Sequence, residues 1–91
     1  MYLEIVTPEA SLVSGEVESV TVPGMDGEFQ MLNNHAAIVS LLVEGEVRFK
    51  GSPTIAEGHQ NKFTQKEGRW TMQINGGTVE CSENKVIVLA D

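Results

Sequence analysis

The sequence is poor in several things, and each shortage narrows what the protein can be. It has one cysteine, Cys81, so no internal disulfide can form, and that fits a reducing compartment. Aromatic residues make up only 5% of the chain. The core must then come mainly from Val, Ile and Leu, a mixture that suits strands better than helices. No apolar run approaches the roughly 18 residues that a membrane-spanning helix needs. Glu4 and Glu9 interrupt the start, which does not read as a secretion signal. A soluble chain is expected, able to dock on a membrane complex but not to insert in lipid. No stretch keeps a 3.6-residue apolar period between capping signals. The 91 residues leave room for one core, and therefore one domain over 1–91.

Basic residues are absent before Arg48. Residues 1–47 carry eight acidic side chains and no Lys or Arg, whereas residues 48–91 carry six basic and five acidic ones. The net charge of −7 argues against nucleic acid or an anionic membrane surface as partner. An acidic first half suits a partner with exposed basic groups. It suits equally well a solvated face that keeps the domain in solution.

What is present is a series of short apolar stretches between turn residues. Leu3 and Ile5 alternate with Tyr2, Glu4 and Val6. Ser11 to Ser14 reads as a short strand that Gly15 turns into the next. In Val17 to Val22 the parity breaks at Glu18, and a bulge near Glu18-Ser19 would repair it. Ala37 to Val43 has few polar residues and reads as a strand covered on both sides. Val47 and Phe49 point inward from the next strand. Residues 51–61 are loop-like, with Thr54-Ile55-Ala56 as a short strand, and Phe63 anchors a weak strand from Lys62 to Gln65. Trp70, Met72 and Ile74 give the cleanest alternation. Gly76-Gly77 turns or kinks the chain, and Val79 and Cys81 follow with inward parity. Those five residues are expected to be buried on adjacent strands. Glu83-Asn84 makes a hairpin before the last strand, Val86 to Ala90. Many short strands with turn signals between them predict an all-β domain, a sandwich or a barrel.

The densest set of turn signals and polar side chains is Val22-Pro23-Gly24-Met25-Asp26-Gly27-Glu28-Phe29-Gln30-Met31-Leu32-Asn33-Asn34-His35-Ala36. Pro23-Gly24 and Asp26-Gly27 each allow a reversal, and Gly24 or Gly27 is expected at positive φ. Asn33-Asn34-His35 supplies a second corner. The stretch reads as a doubly bent hairpin with Glu28 near one bend and His35 near the other. His35 with Asp26 or Glu28 is the one candidate acid–base set, but no nucleophile sits in a recognisable elbow. His35 and His59 lie in unrelated segments without metal-ligand spacing. Gly24, Gly27 and Gly45 lie between strands, with no helix N-terminus to receive a phosphate. No catalysis, cofactor or metal is expected. Cys81 reads as inert packing.

The same stretch, "VPGMDGEFQMLNNHA", preceded by "IVTPE" and "SGEVESVTV", resembles the amino-terminal domain of the epsilon subunit of F-type ATP synthase. The ending "NGGTVECSENKVIVLAD" is similar to that family's closing motif. The resemblance covers about residues 3–49 and 70–91, with three motifs in the family's order. Gln30 replaces a usual Gly, and Asn33 and Ala37 replace usual prolines. The resemblance implies two stacked antiparallel sheets of short strands. It implies a non-catalytic rotor subunit that binds gamma in the central stalk and the ring of c subunits. Such a subunit couples proton flow to ATP synthesis from the cytoplasmic face of an energy-transducing membrane, as a peripheral component. The family's contact Glu and His fall on Glu28 and His35, with Asp26, Asn33 and Asn34 beside them. A helical hairpin follows the "VLAD" segment in the family, and inhibition of hydrolysis is attributed to it. The 91 residues are therefore expected to couple rotation and inhibit little, and to be monomeric when isolated. The alternative is a stand-alone β-sandwich module for a protein or glycan, which would need an exposed aromatic platform.

Overall fold

The computed structural model describes residues 1–91. Ten strands follow one another: β1 (Tyr2–Val6), β2 (Ser11–Gly24), β3 (Gly27–Leu32), β4 (Ile38–Leu42), β5 (Gly45–Gly51), β6 (Thr54–Ile55), β7 (Phe63–Lys66), β8 (Arg69–Ile74), β9 (Gly77–Ser82) and β10 (Lys85–Ala90). The sole helical element is a single 3-10 turn at Gln60–Lys62. The all-β reading therefore holds, and the strands form a β-sandwich.

The long strand β2 organises the two layers. Its first half pairs with β1 and, through Val13 and Ser14, with β6. Its second half pairs with β3 on one side and β5 on the other. One layer continues from β1 through β10 and β9 to β4, and the other runs from β3 through β2, β5 and β8 to β7. The chain passes through Gly15 without reversing, contrary to the expectation of a turn there. Strand pairing on both sides keeps it extended. The bulge is where the sequence placed it. Val17 lies opposite Gly51 and Ser19 opposite Lys50, so Glu18 is left over. The extra residue restores the inward parity of Val20 and Val22, both fully buried, and leaves Glu18 in solvent.

Most pairings are antiparallel, but β1 and β10 run parallel, Tyr2 beside Lys85 through Val6 beside Leu89. No hairpin joins the first and last strands, so connection geometry does not impose the antiparallel sense expected throughout. Between the layers lies an aliphatic core that includes Leu3, Ile5, Leu12, Val20, Val22, Met31, Val47, Val79, Val86 and Val88. Phe49 meets Phe63 edge to face, with ring centroids 6.0 Å apart, the preferred aromatic arrangement.

Of the five residues expected to be buried on adjacent strands, Met72, Ile74, Val79 and Cys81 are buried. Trp70 is only half-buried, packed against the edge of the core. The strands are not neighbours either. β8 pairs with β5 and β7, and β9 pairs with β10 and β4. The Gly76-Gly77 step is thus a crossing from one layer to the other rather than a hairpin. Gly77 holds φ at 148°, and a Cβ there would lie 2.0 Å from the Leu89 carbonyl oxygen. Only glycine lets β9 approach β10 at that point.

Two outcomes follow from this packing. Gly77→Ala should destabilise the fold by about 3 kcal/mol, because backbone must move to admit the methyl group; an unchanged urea midpoint would contradict the crossing. Cys81 is 1% exposed, and burial pushes its thiol pKa up, which lowers both access and thiolate fraction. An aromatic disulfide reagent should attack it about 100-fold or more slowly in the native protein than in urea, since attack waits for opening. Equal rates would place Cys81 at the surface.

Candidate docking surface

The first bend is the β2–β3 hairpin. Gly24 lies opposite Gly27, and Met25-Asp26 form the tip. Gly27 holds φ at 121°, in the region that favours glycine. Gly24 does not have positive φ, but a Cβ on it would meet the Phe29 ring at 2.8 Å. Both glycines are therefore required, one for conformation and one for room. Asp26 stands exposed at the tip. Glu28 is not a free acid, because its carboxylate accepts a hydrogen bond from the Arg48 guanidinium. Arg48 also faces Glu46 at 3.5 Å, and Glu46 faces Lys66 at 3.9 Å. Alternating charges thus run across the outer face of β3, β5 and β7.

The second bend follows β3. Asn34 takes a left-handed φ of 63°, which asparagine tolerates better than most residues. The His35 backbone N–H donates to the Leu32 carbonyl at 3.1 Å. Its ring Nδ1–H donates to the Ala36 carbonyl at 2.7 Å, so the imidazole helps hold its own corner. Two distant segments grip the same corner. The Met1 ammonium donates to Asn33 Oδ1 at 2.7 Å, and the Asn34 backbone N–H donates to Asn84 Oδ1 at 2.7 Å.

The sequence candidates therefore divide into two groups. Asp26 and Glu28 lie at one end of β3, and Asn33, Asn34 and His35 lie beyond the other. The four residue steps from Glu28 to Leu32 along β3 separate them by about 13 Å. That spacing is too long for a carboxylate–imidazole proton relay. No three His, Cys, Asp or Glu side chains converge in a metal-like cluster. The arrangement is suited to contact over an area, not to chemistry at a point.

A larger feature lies between the two ends. The strand read as covered on both sides is covered on one. Leu42 is buried and Ile38 packs against the core, whereas Val39 is 73% exposed and Leu41 55%. Met25 at the tip is 61% exposed, and Val43 and Leu89 are also open to solvent. Register places these residues together. Leu41 lies opposite Thr78, which lies opposite Leu89, and Val39 lies opposite Glu80, which lies opposite Ile87. The Met25 N–H donates to the Leu41 carbonyl at 3.1 Å, so the strip reaches the hairpin tip. At its other end, β4 begins three residues after His35. A shallow depression of about 590 Å³ lies beside Met25, Leu41 and Val43. Exposed apolar side chains grouped on one face, here with Thr78 and Glu80 between the β4 and β10 members, are a physical mark of a macromolecular contact. The sequence signal was the run of apolar residues on both parities of β4. Burial on two sides and burial on one side plus a partner read alike in that pattern.

Comparison with known proteins bears on the family and the fold. The family profile described as "ATP synthase, Delta/Epsilon chain, beta-sandwich domain" matches residues 1–91. The ATP synthase epsilon chain of Chlorobium limicola is 38% identical over 89 residues, which span 98% of this chain and 86% of that one. That of Campylobacter curvus is 37% identical over 91 residues, spanning all of this chain and 60% of that one. A chain in the structure of the central stalk and c-ring of the Tetrahymena thermophila mitochondrial ATP synthase superposes with a TM-score of 0.72 over 99% of this chain and 62% of that one. At 14% identity this last likeness concerns the fold.

The two bends respond differently to substitution. Gly27→Ala should cost about 1 kcal/mol through its left-handed φ. Gly24→Ala should cost about as much or more through the clash with Phe29. Glu28→Gln should change stability by less than about 1 kcal/mol, because the Arg48 pair is solvated. Urea titration checks all three. Wild-type midpoints in both glycine variants would contradict the bend geometry.

Proposed function

This chain belongs to the ATP synthase delta/epsilon-chain family through its β-sandwich domain, and on that basis we propose that it is a non-catalytic rotor subunit of a proton-translocating ATP synthase. In this reading it binds gamma in the central stalk and rests on the ring of c subunits. It transmits rotation between proton flow and the catalytic head. It lies at the cytoplasmic face of the energy-transducing membrane, as a peripheral component. The relatives' names and the fold shared with a chain of a stalk and c-ring structure support the assignment.

The observation that carries the contact is the apolar strip of β4. It runs from Met25 at one bend to the His35 corner at the other. A part that carries torque needs an extended, shape-matched surface, because single polar contacts on a rim add little. Val39 and Leu41 supply apolar area. Asp26, Asn33, Asn34 and His35 supply polar rims at the two ends. Glu28 contributes through its pairing with Arg48, which leaves less bare negative charge at the first bend than the sequence implied. No observation favours a stand-alone glycan or peptide module. Tyr2 and Trp70, the residues an aromatic platform would need, lie in different layers.

Binding to a catalytic head that contains gamma and lacks its own epsilon chain tests the reading. Val39→Glu with Leu41→Glu should weaken binding about tenfold or more while the exposed positions leave the fold intact. Glu28→Lys with His35→Glu should weaken it as well. Wild-type affinity in both double variants would overturn the proposed surface. In membranes depleted of epsilon, the chain should restore ATP-driven proton pumping. Binding without restored pumping would remove the coupling role.

A further inference from the structure

We propose that Asn84, in the turn between β9 and β10, is the positioning residue for the Asn33–His35 corner, an inference that rests on the reading of that corner as part of the rotor contact. The turn itself is a two-residue hairpin. Ser82 and Lys85 pair across it, and Glu83 and Asn84 hold φ at 50° and 59°. A turn with both central residues at positive φ is best served by glycine in its second position. Glycine is absent there, and the asparagine side chain is engaged. Asn84 Oδ1 accepts the Asn34 backbone N–H at 2.7 Å across 50 residues of chain. The Asn84 backbone carbonyl accepts the Tyr2 N–H at 3.1 Å. One residue therefore joins the start of β1, the β9–β10 turn and the corner.

The corner depends on that support. It carries the chain from β3 in one layer to β4 in the other, with Asn33 and Asn34 exposed and His35 half-buried. Inside the corner the backbone has one hydrogen bond, from His35 to Leu32. Asn34 is left-handed, so its N–H points away from the sheet ladder and toward Asn84. Of the other two grips, the Met1 ammonium holds the Asn33 side chain and the His35 ring reaches only the adjacent Ala36 carbonyl, so neither ties the corner backbone to a distant segment. Asn84 fixes the backbone. Without it the corner would sample other conformations, and a partner would have to order it on binding.

Turn and tether separate by substitution. Asn84→Gly keeps the turn conformation and the carbonyl to Tyr2 but removes the acceptor for Asn34. Asn84→Asp keeps an acceptor. Each variant is read three ways: thermal midpoint, amide hydrogen exchange at Asn34 by NMR, and affinity for a gamma-containing head. Asn84→Gly should melt no lower than wild type, exchange Asn34 about fivefold faster, and bind gamma about fivefold more weakly. Asn84→Asp should keep wild-type exchange and affinity. Unchanged Asn34 exchange in Asn84→Gly overturns the positioning role. So does faster exchange in Asn84→Asp equal to that in Asn84→Gly. Faster exchange in Asn84→Gly with unchanged gamma affinity overturns the link to docking, and places the failure in the reading of the corner as a contact rather than in the tether.

Discussion

The bulge at Glu18 is the constraint on which the two layers depend. β2 is the only strand that belongs to both, so its face toward the core must stay correct over 14 residues. Strict alternation would turn Val20 and Val22 out of the core once Val17 was placed in it. One extra residue resets the parity and bends the strand. The second half then carries β3 and β5, and its end reaches β4 through Gly24 and Leu42. The hairpin, the β4 strip and the corner all hang from that half.

The proposed docking surface follows from how β4 sits in this frame. It joins β9 along its length but meets β2 at one residue only. Its inner face is covered by the opposite layer, and no part of the chain covers its outer face. The two bends then set the ends of the surface. Charge plays a smaller part than the acidic first half suggests. Glu28 and Glu46 pair with Arg48, and Glu9 pairs with Lys62 at 3.3 Å. Basic groups of the second half thus neutralise three of the eight first-half acids, Glu9, Glu28 and Glu46.

Much of this was legible from residue order alone. Asp26-Gly27 marked a bend because few other pairs tolerate its backbone angles, and the broken parity at Glu18 marked a bulge. Both signals are local, and local sterics decided them. The pairing of Glu28 with Arg48, the grip of Asn84 on Asn34 and the half-burial of Trp70 were not legible. The first two join residues 20 and 50 positions apart, and the third depends on where a strand end falls in the sandwich. Gly76-Gly77 shows the limit within a single motif. Two glycines announce a change of direction, but hairpin and layer crossing use the same residues.

By itself the sequence determined an all-β domain, the order of its strands, its two bends and, through three motifs, its family resemblance. These depend on side-chain period, glycine and asparagine backbone freedom, and motif order, all properties of neighbouring residues. Tertiary structure alone decided which apolar face was left bare. Val39 and Leu41 have the same chemistry as Val20 and Val22, and a period of two separates the faces of a strand without saying which has a layer above it. The second layer lies over Leu42 and not over Leu41. That difference arises only when β4 takes its place beside β9, and it turns a strand that reads as core into a surface.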